Sequence, residues 1–284
     1  MRWQGRRTSD NVEDRRGIGG RGLAVGGGLG GILAVVLFLV LGGNPDEVMQ
    51  SLQQTGVEVP AGSTAELSDE ERQEGQFVGV ILAETEDVWN RLFQQAGQSY
   101  REPKLVLFSD QISSACGYAG ASAGPFYCPA DERVYIDLSF FKEMQAQLGA
   151  HGDFALAYVI AHEVGHHVQN LLGISDQVMG QRERMSEAEF NRLTVRMELQ
   201  ADFLAGVWAH FAERTANLLE SGDIEEGINA AAAVGDDRIM RQTQGYVVPD
   251  AFTHGTSEQR VRWFRRGYES GDITQGDTFS SQEL

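Results

Sequence analysis

The sequence predicts an α+β domain, dominated by helix with a small β-sheet, preceded by one transmembrane helix. Three observations carry this reading. Residues 22–41 form a run with no charged side chain. Three Ser/Thr-x-x-Glu/Gln signatures, beginning at Ser68, Ser186 and Thr256, each open a stretch with helical spacing of apolar residues. Two short runs, KLVLFSD (104–110) and RVYIDLSFF (133–141), are rich in β-branched and aromatic residues and read as strands.

The N-terminal elements come first. Residues 1–21 hold Arg2, Arg6, Arg7, Arg15, Arg16 and Arg21 against three acidic residues, on a chain whose formal charge is −18. The run GLAVGGGLGGILAVVLFLVL (22–41) would span ~30 Å as a helix, matching a bilayer core. Arginines before it and NPDE after it predict a cytoplasmic N-terminus (1–21) and an anchor (22–43). Residues 44–67, with Pro45 and Pro60, read as a linker, and 68–284 as a domain outside the cytoplasm, periplasmic or extracellular. A cleaved signal peptide is the alternative. The length of the run and the lack of a small-residue cleavage site favour an uncleaved anchor. Gly26/Gly30 and Gly27/Gly31 offer a pairing face for a homo-oligomer through this anchor. The acidity argues against a nucleic-acid partner, which requires a basic stripe. Cys116 and Cys128, beyond the anchor, fit one disulfide; two buried thiols are the alternative.

Within the domain, Ser68 and Glu71 can cap a helix carrying Phe77, Val80, Ile81, Val88, Leu92 and Phe93. The two strands follow. DFALAYVIAHEVGHHVQNLLG (153–173) reads as a helix ending at Gly173, and Ser186 caps another running to about Leu219. Residues 223–242 suggest one more helix, and Thr256 caps a last one through Tyr268. RVYIDL is a candidate edge strand for pairing with an extended substrate, or else an ordinary core strand.

The chemistry concentrates in AHEVGHHVQ. His162 and His166, at i and i+4, lie about 40° apart in rotation on one helix face and can reach one metal ion. Glu163 is about 100° from His162, beside the ligands, where a base acting on water belongs. His167 points away from His166 and reads as a non-ligand. Zinc needs a third protein ligand, and RMELQAD (196–202) offers Glu198 to complete a His-His-Glu set. Asp202, one turn on, can accept the free N–H of a ligating histidine. His151 and His210 lack a motif partner and read as structural.

HExxH followed by ExxAD resembles the gluzincin metallopeptidases, especially the CaaX prenyl protease and heat-shock protease group. Nearly the full chain resembles the bacterial neutral zinc metallopeptidase family. The resemblance lies in MRWQGRRTSDNVEDRRG, the single anchor, SACGYAGASAGPFYCPADERVYIDLSFF, AHEVGHHVQ and FTHGTSEQRVRWFRRGY. It implies Zn2+, a zincin-like fold and hydrolysis of a protein or peptide substrate. FTHGTSEQR also resembles the THP…R segment of the CaaX-protease group, with Gly255 in place of proline. By that match His254 donates to the developing oxyanion, and Arg260 anchors the loop or a ligand carboxylate. Two other functions stay open: a non-catalytic, membrane-tethered scaffold with a gluzincin fold, and a zinc hydrolase of cell-wall amide bonds. Glu163 weighs against the scaffold, which has no use for a base beside the metal.

Overall fold

The computed structural model describes residues 1–16, 67–109, 111–120, 124–149 and 151–284. Over these it is a helix-rich α+β fold with a four-stranded sheet and a separate two-stranded hairpin. The run read as a membrane anchor lies outside the described residues. No helix among the described residues is long and apolar enough to cross a membrane.

Strand β1 (Val12–Asp14) comes from the arginine-rich N-terminus. Helix α1 (Asp69–Gln95) starts at a complete capping box: Glu71 N–H donates to Ser68 Oγ at 3.2 Å, and Ser68 N–H to Glu71 Oε2 at 2.7 Å. Strands β2 (Lys104–Phe108) and β6 (Arg133–Asp137) follow the expected runs, with the hairpin β3 (Gln111–Ser114) and β4 (Gly117–Gly120) and strand β5 (Phe126–Cys128) between them. The sheet order is β1-β2-β6-β5, parallel except for β5. Alternation sends Leu105, Leu107, Val134 and Ile136 into the main core with the helices, and Val106, Phe108, Cys128 and Tyr135 into a smaller cluster on the other face. RVYIDL is therefore an inner strand, buried between β2 and β5, and the edge nearest the later helices belongs to β5. The tail of that run, SFF, starts helix α2 (Ser139–Leu148).

Met1–Arg15 belongs to the same compact unit as Ser68–Leu284. Val12, Glu13 and Asp14 pair in parallel with Leu105, Val106 and Leu107. The N-terminal arginines meet acids of the domain: Arg6 bonds Glu84 at 2.7 Å, and Arg7 bonds Glu86 at 3.0 Å and Asp87 at 2.9 Å. Buried Ser9 and half-buried Asn11 also bond Glu86. Among the described arginines of this segment, Arg2, Arg6, Arg7 and Arg15 lie within ion-pair distance of carboxylates.

Helices α3 (Asp153–Leu171), α4 (Ile174–Met179), α5 (Glu187–Arg214), α6 (Asp223–Ala233), α7 (Asp236–Gln244) and α8 (Ser257–Ser270) complete the chain. The expected single helix over 223–242 is two. It breaks at Gly235, where an added Cβ would sit 2.4 Å from Ser257 N, so the chain turns there to let α8 approach. Helices α5 and α8 touch backbone to backbone: a Cβ on Gly206 would fall 2.1 Å from Phe264 O, and one on Gly267 2.0 Å from Phe203 O. Gly165 likewise admits α5 beside α3, its Cβ position lying 3.0 Å from Ala201 O. These close approaches set α3, α5 and α8 side by side, and the chemical residues lie where they meet.

Candidate metal centre

Helix α3 presents His162 and His166 one turn apart, their rings edge-on with centroids 4.8 Å apart. Helix α5 sets Glu198 opposite them, its Oε2 3.2 Å from His162 Nε2 and 3.4 Å from His166 Nε2. The donor atoms of all three lie within 4.8 Å of one another. These three side chains could hold a zinc ion through two imidazoles and one carboxylate, a set of the kind that leaves a fourth position for water or substrate.

The other side of each imidazole explains why Nε2 faces Glu198. His162 Nδ1 lies 2.8 Å from Asp202 Oδ1, and His166 Nδ1 lies 2.9 Å from Gln169 Oε1. Both partners accept, so each Nδ1 carries a hydrogen and Nε2 is the nitrogen left to ligate a metal. The Gln169 amide has a fixed orientation, because its NH2 donates to Met197 O at 2.7 Å and to Gln200 Oε1 at 3.0 Å. Gln169 escaped the sequence reading. Its signal was its place three residues after His166 on one helix face, but glutamine is not a ligand type.

Asp202, fully buried, is itself held by Tyr158, whose hydroxyl donates to Oδ1, and by the Arg260 fork, with Nε and Nη2 at 2.8 and 2.9 Å. Arg260 thus anchors the carboxylate behind His162 rather than the ligand carboxylate Glu198. Burial raises the Asp202 carboxyl, but Arg260 and His162 outweigh it and hold it down to about 2. Burial also disfavours a charged His162, yet Asp202 and Glu198 prevail and hold its imidazole up, to about 10. The negative charge that retains this proton is the same charge that attracts a divalent cation.

Glu163 is 7 % exposed and lines the same cleft as the three donors without belonging to the donor set. The cleft has a volume of about 430 Å³ and is walled mainly by apolar side chains, among them Pro125, Phe126, Tyr127, Phe140, Met179 and Ile239. His254 lines it from the loop before α8, with its side chain half exposed. Asp236, which the sequence reading also missed, fixes that loop. Its Oδ2 accepts from the backbone N–H groups of Thr253, His254 and Gly255 at 2.8, 2.7 and 2.9 Å, and its Oδ1 lies 3.3 Å from His254 Nδ1. Desolvation disfavours a charged His254, but Asp236 and Glu198 hold it above the ordinary imidazole value. Cys116 and Cys128 form a disulfide with Cα atoms 5.8 Å apart, tying the hairpin to β5 at the cleft wall. His210 donates to Tyr268 O at 2.7 Å, away from the donors.

A family model described as "Putative neutral zinc metallopeptidase" matches residues 1–279. The chain is 51% identical over 285 residues to "Uncharacterized protein YpfJ" of Escherichia coli (strain K12), covering 98% of this chain and 99% of that protein. It is 44% identical over 207 residues to "Uncharacterized protein Rv2575" of Mycobacterium tuberculosis (strain ATCC 25618 / H37Rv), covering 69% of this chain and 68% of that one. No solved structure matches it.

Proposed function

The chain belongs to the neutral zinc metallopeptidase family, and on that premise we propose that it hydrolyses peptide bonds with Glu163 as general base. The observation that carries this is the convergence of His162 Nε2, His166 Nε2 and Glu198 Oε2, each imidazole backed by an acceptor, in a cleft that Glu163 also lines. His162, His166 and Glu198 would hold a zinc ion, which would supply Lewis acidity toward a peptide carbonyl and make water more acidic. Glu163 takes the proton of the attacking water and passes it to the leaving amine. His254, steadied by Asp236, donates a hydrogen bond to the developing oxyanion. The apolar walls accept apolar side chains beside the scissile bond. They fit a peptide better than the polar glycan-linked amides of a cell wall.

The metal is tested first. One zinc per chain is expected by elemental analysis. Carboxylates and amides behind a ligand are worth 10–100-fold in metal affinity, so Gln169→Ala should weaken zinc binding by about that factor and Glu198→Ala by at least about a hundredfold. Full occupancy in Glu198→Ala under a competing chelator would remove Glu198 from the donor set.

Membrane association through residues 22–41 belongs to the same reading, but not as a single crossing, which would leave Met1–Arg15 and the domain on opposite sides of the bilayer. The disulfide supports an oxidising compartment for the domain. The pairing of β1 with β2 supports the same side for Met1–Arg15. Gln4→Cys and Gln282→Cys, both exposed, should then react alike with a membrane-impermeant maleimide on intact cells, because the native cysteines are joined. Opposite accessibility would separate the N-terminus from the domain and remove β1 from the native fold.

A further inference from the structure

The motif contains three histidines, and the metal site uses two. His167 is fully buried, with Nε2 2.5 Å from the Arg101 carbonyl oxygen and Nδ1 3.0 Å from the Tyr127 hydroxyl. A carbonyl only accepts, so Nε2 carries the hydrogen and Nδ1 accepts from the phenol. The phenol oxygen in turn accepts from Asn170 Nδ2 at 3.1 Å. His167 and Asn170 are three residues apart and share a helix face. The ligand His166 lies on the same turn of α3.

Tyr127 is the middle residue of β5, the three-residue edge strand at the cleft. Its neighbours point to the other side of the sheet. Phe126 stacks on Tyr135 with centroids 4.9 Å apart, and Cys128 carries the disulfide. A strand so short, with one partner strand, is poorly fixed by backbone pairing alone. Here it is fastened from both faces, by the disulfide on one and by His167 and Asn170 on the other. The fastening on the second face comes from the same helix turn that presents the metal ligands.

We propose that His167 is a positioning residue for the substrate. Through Tyr127 it fixes the edge of β5 relative to His162, His166 and Glu198, so that a peptide backbone paired along this edge is delivered with one bond at the metal. The inference rests on the peptide-binding part of the reading above, and it gives the third histidine a role in register rather than in coordination.

The test compares the zinc-loaded full chain with His167→Phe, Tyr127→Phe and the double variant. The probes are a blocked eight-residue peptide, long enough to pair with β5, and a blocked dipeptide too short to do so. Zinc content and thermal midpoint are measured in parallel. Each single variant should raise KM for the long peptide about tenfold with kcat nearly unchanged, the effect expected from one lost ordering contact. The dipeptide should be unaffected within about twofold, and the double variant should add little to either single one. Equal losses on both peptides, or additive losses, would overturn the proposal in favour of a purely structural role. If His167→Phe does not fold, Tyr127→Phe, which removes one oxygen, carries the test. Calorimetric binding of the long peptide to zinc-loaded Glu163→Gln separates the two claims. Binding that depends on His167 in a protein whose wild type cleaves nothing would sink the peptidase reading and keep this one. Binding that ignores His167 would sink this one alone.

Discussion

Glutamine at position 163 should give a folded protein that holds one zinc and hydrolyses peptides at least about a hundredfold more slowly than the wild type. The substitution keeps the size of the side chain and removes its ability to accept and return a proton. The three donors and the acceptors behind them, Asp202 and Gln169, are untouched. General-base catalysis contributes ~10²–10⁴-fold, and a Lewis acid cannot replace a positioned proton acceptor. Single-turnover cleavage of an unstructured protein is the measurement, with zinc content determined on the same samples. The full chain is the sample to use, because a fragment starting at Ser68 lacks β1 and the arginines that bond Glu84 and Glu86. Full activity in Glu163→Gln would place the catalytic site elsewhere. A wild-type protein that holds zinc and cleaves no unfolded protein would favour the scaffold.

The parts of the site legible in the sequence are those fixed by local geometry. The spacing of His162 and His166, and of Glu198 and Asp202, puts each pair on one helix face whatever the fold does elsewhere. The capping boxes at Ser68, Ser186 and Thr256 all form, so the starts of α1, α5 and α8 were readable. The sequence reading failed where the partner is distant. β1 is three residues long and pairs with a strand some ninety residues on. The partners of the arginines around it, Glu84, Glu86 and Asp87, come beside them only after α1 packs. β5 lies in a Gly- and Pro-rich stretch whose period is too short to read, and its loss made β6 look like an edge. Gly235 looked compatible with a continuing helix, since its contact with Ser257 belongs to tertiary packing.

Arg260→Met should be the most destabilising single change at the site. Arg260 is 3 % exposed and Asp202 fully buried, and their bidentate bond joins α8 to α5, with Tyr158 of α3 bonded to both. Removing the arginine leaves a buried carboxylate without its main counter-charge, which costs about 3–5 kcal/mol. Urea unfolding of the zinc-loaded full chain, with the thermal midpoint as a second measure, reads this directly. Arg260→Lys should recover only part of the loss, because an ammonium cannot reproduce the two parallel bonds of the fork. A loss under about 1 kcal/mol in Arg260→Met would mean that the pair does not tie the helices together. The double variant Asp202→Leu/Arg260→Met separates the two jobs of this pair. With neither member of the pair left as a lone buried charge, it should regain much of the stability, as apolar replacements of buried ion pairs do. His162 Nδ1 then has no carboxylate acceptor, so zinc affinity should fall about 10–100-fold in the better-folded protein. Stability and metal affinity moving in opposite directions would assign Asp202 to orienting His162. If both recovered together, the metal would not depend on Asp202, and the account of how His162 is oriented would fall.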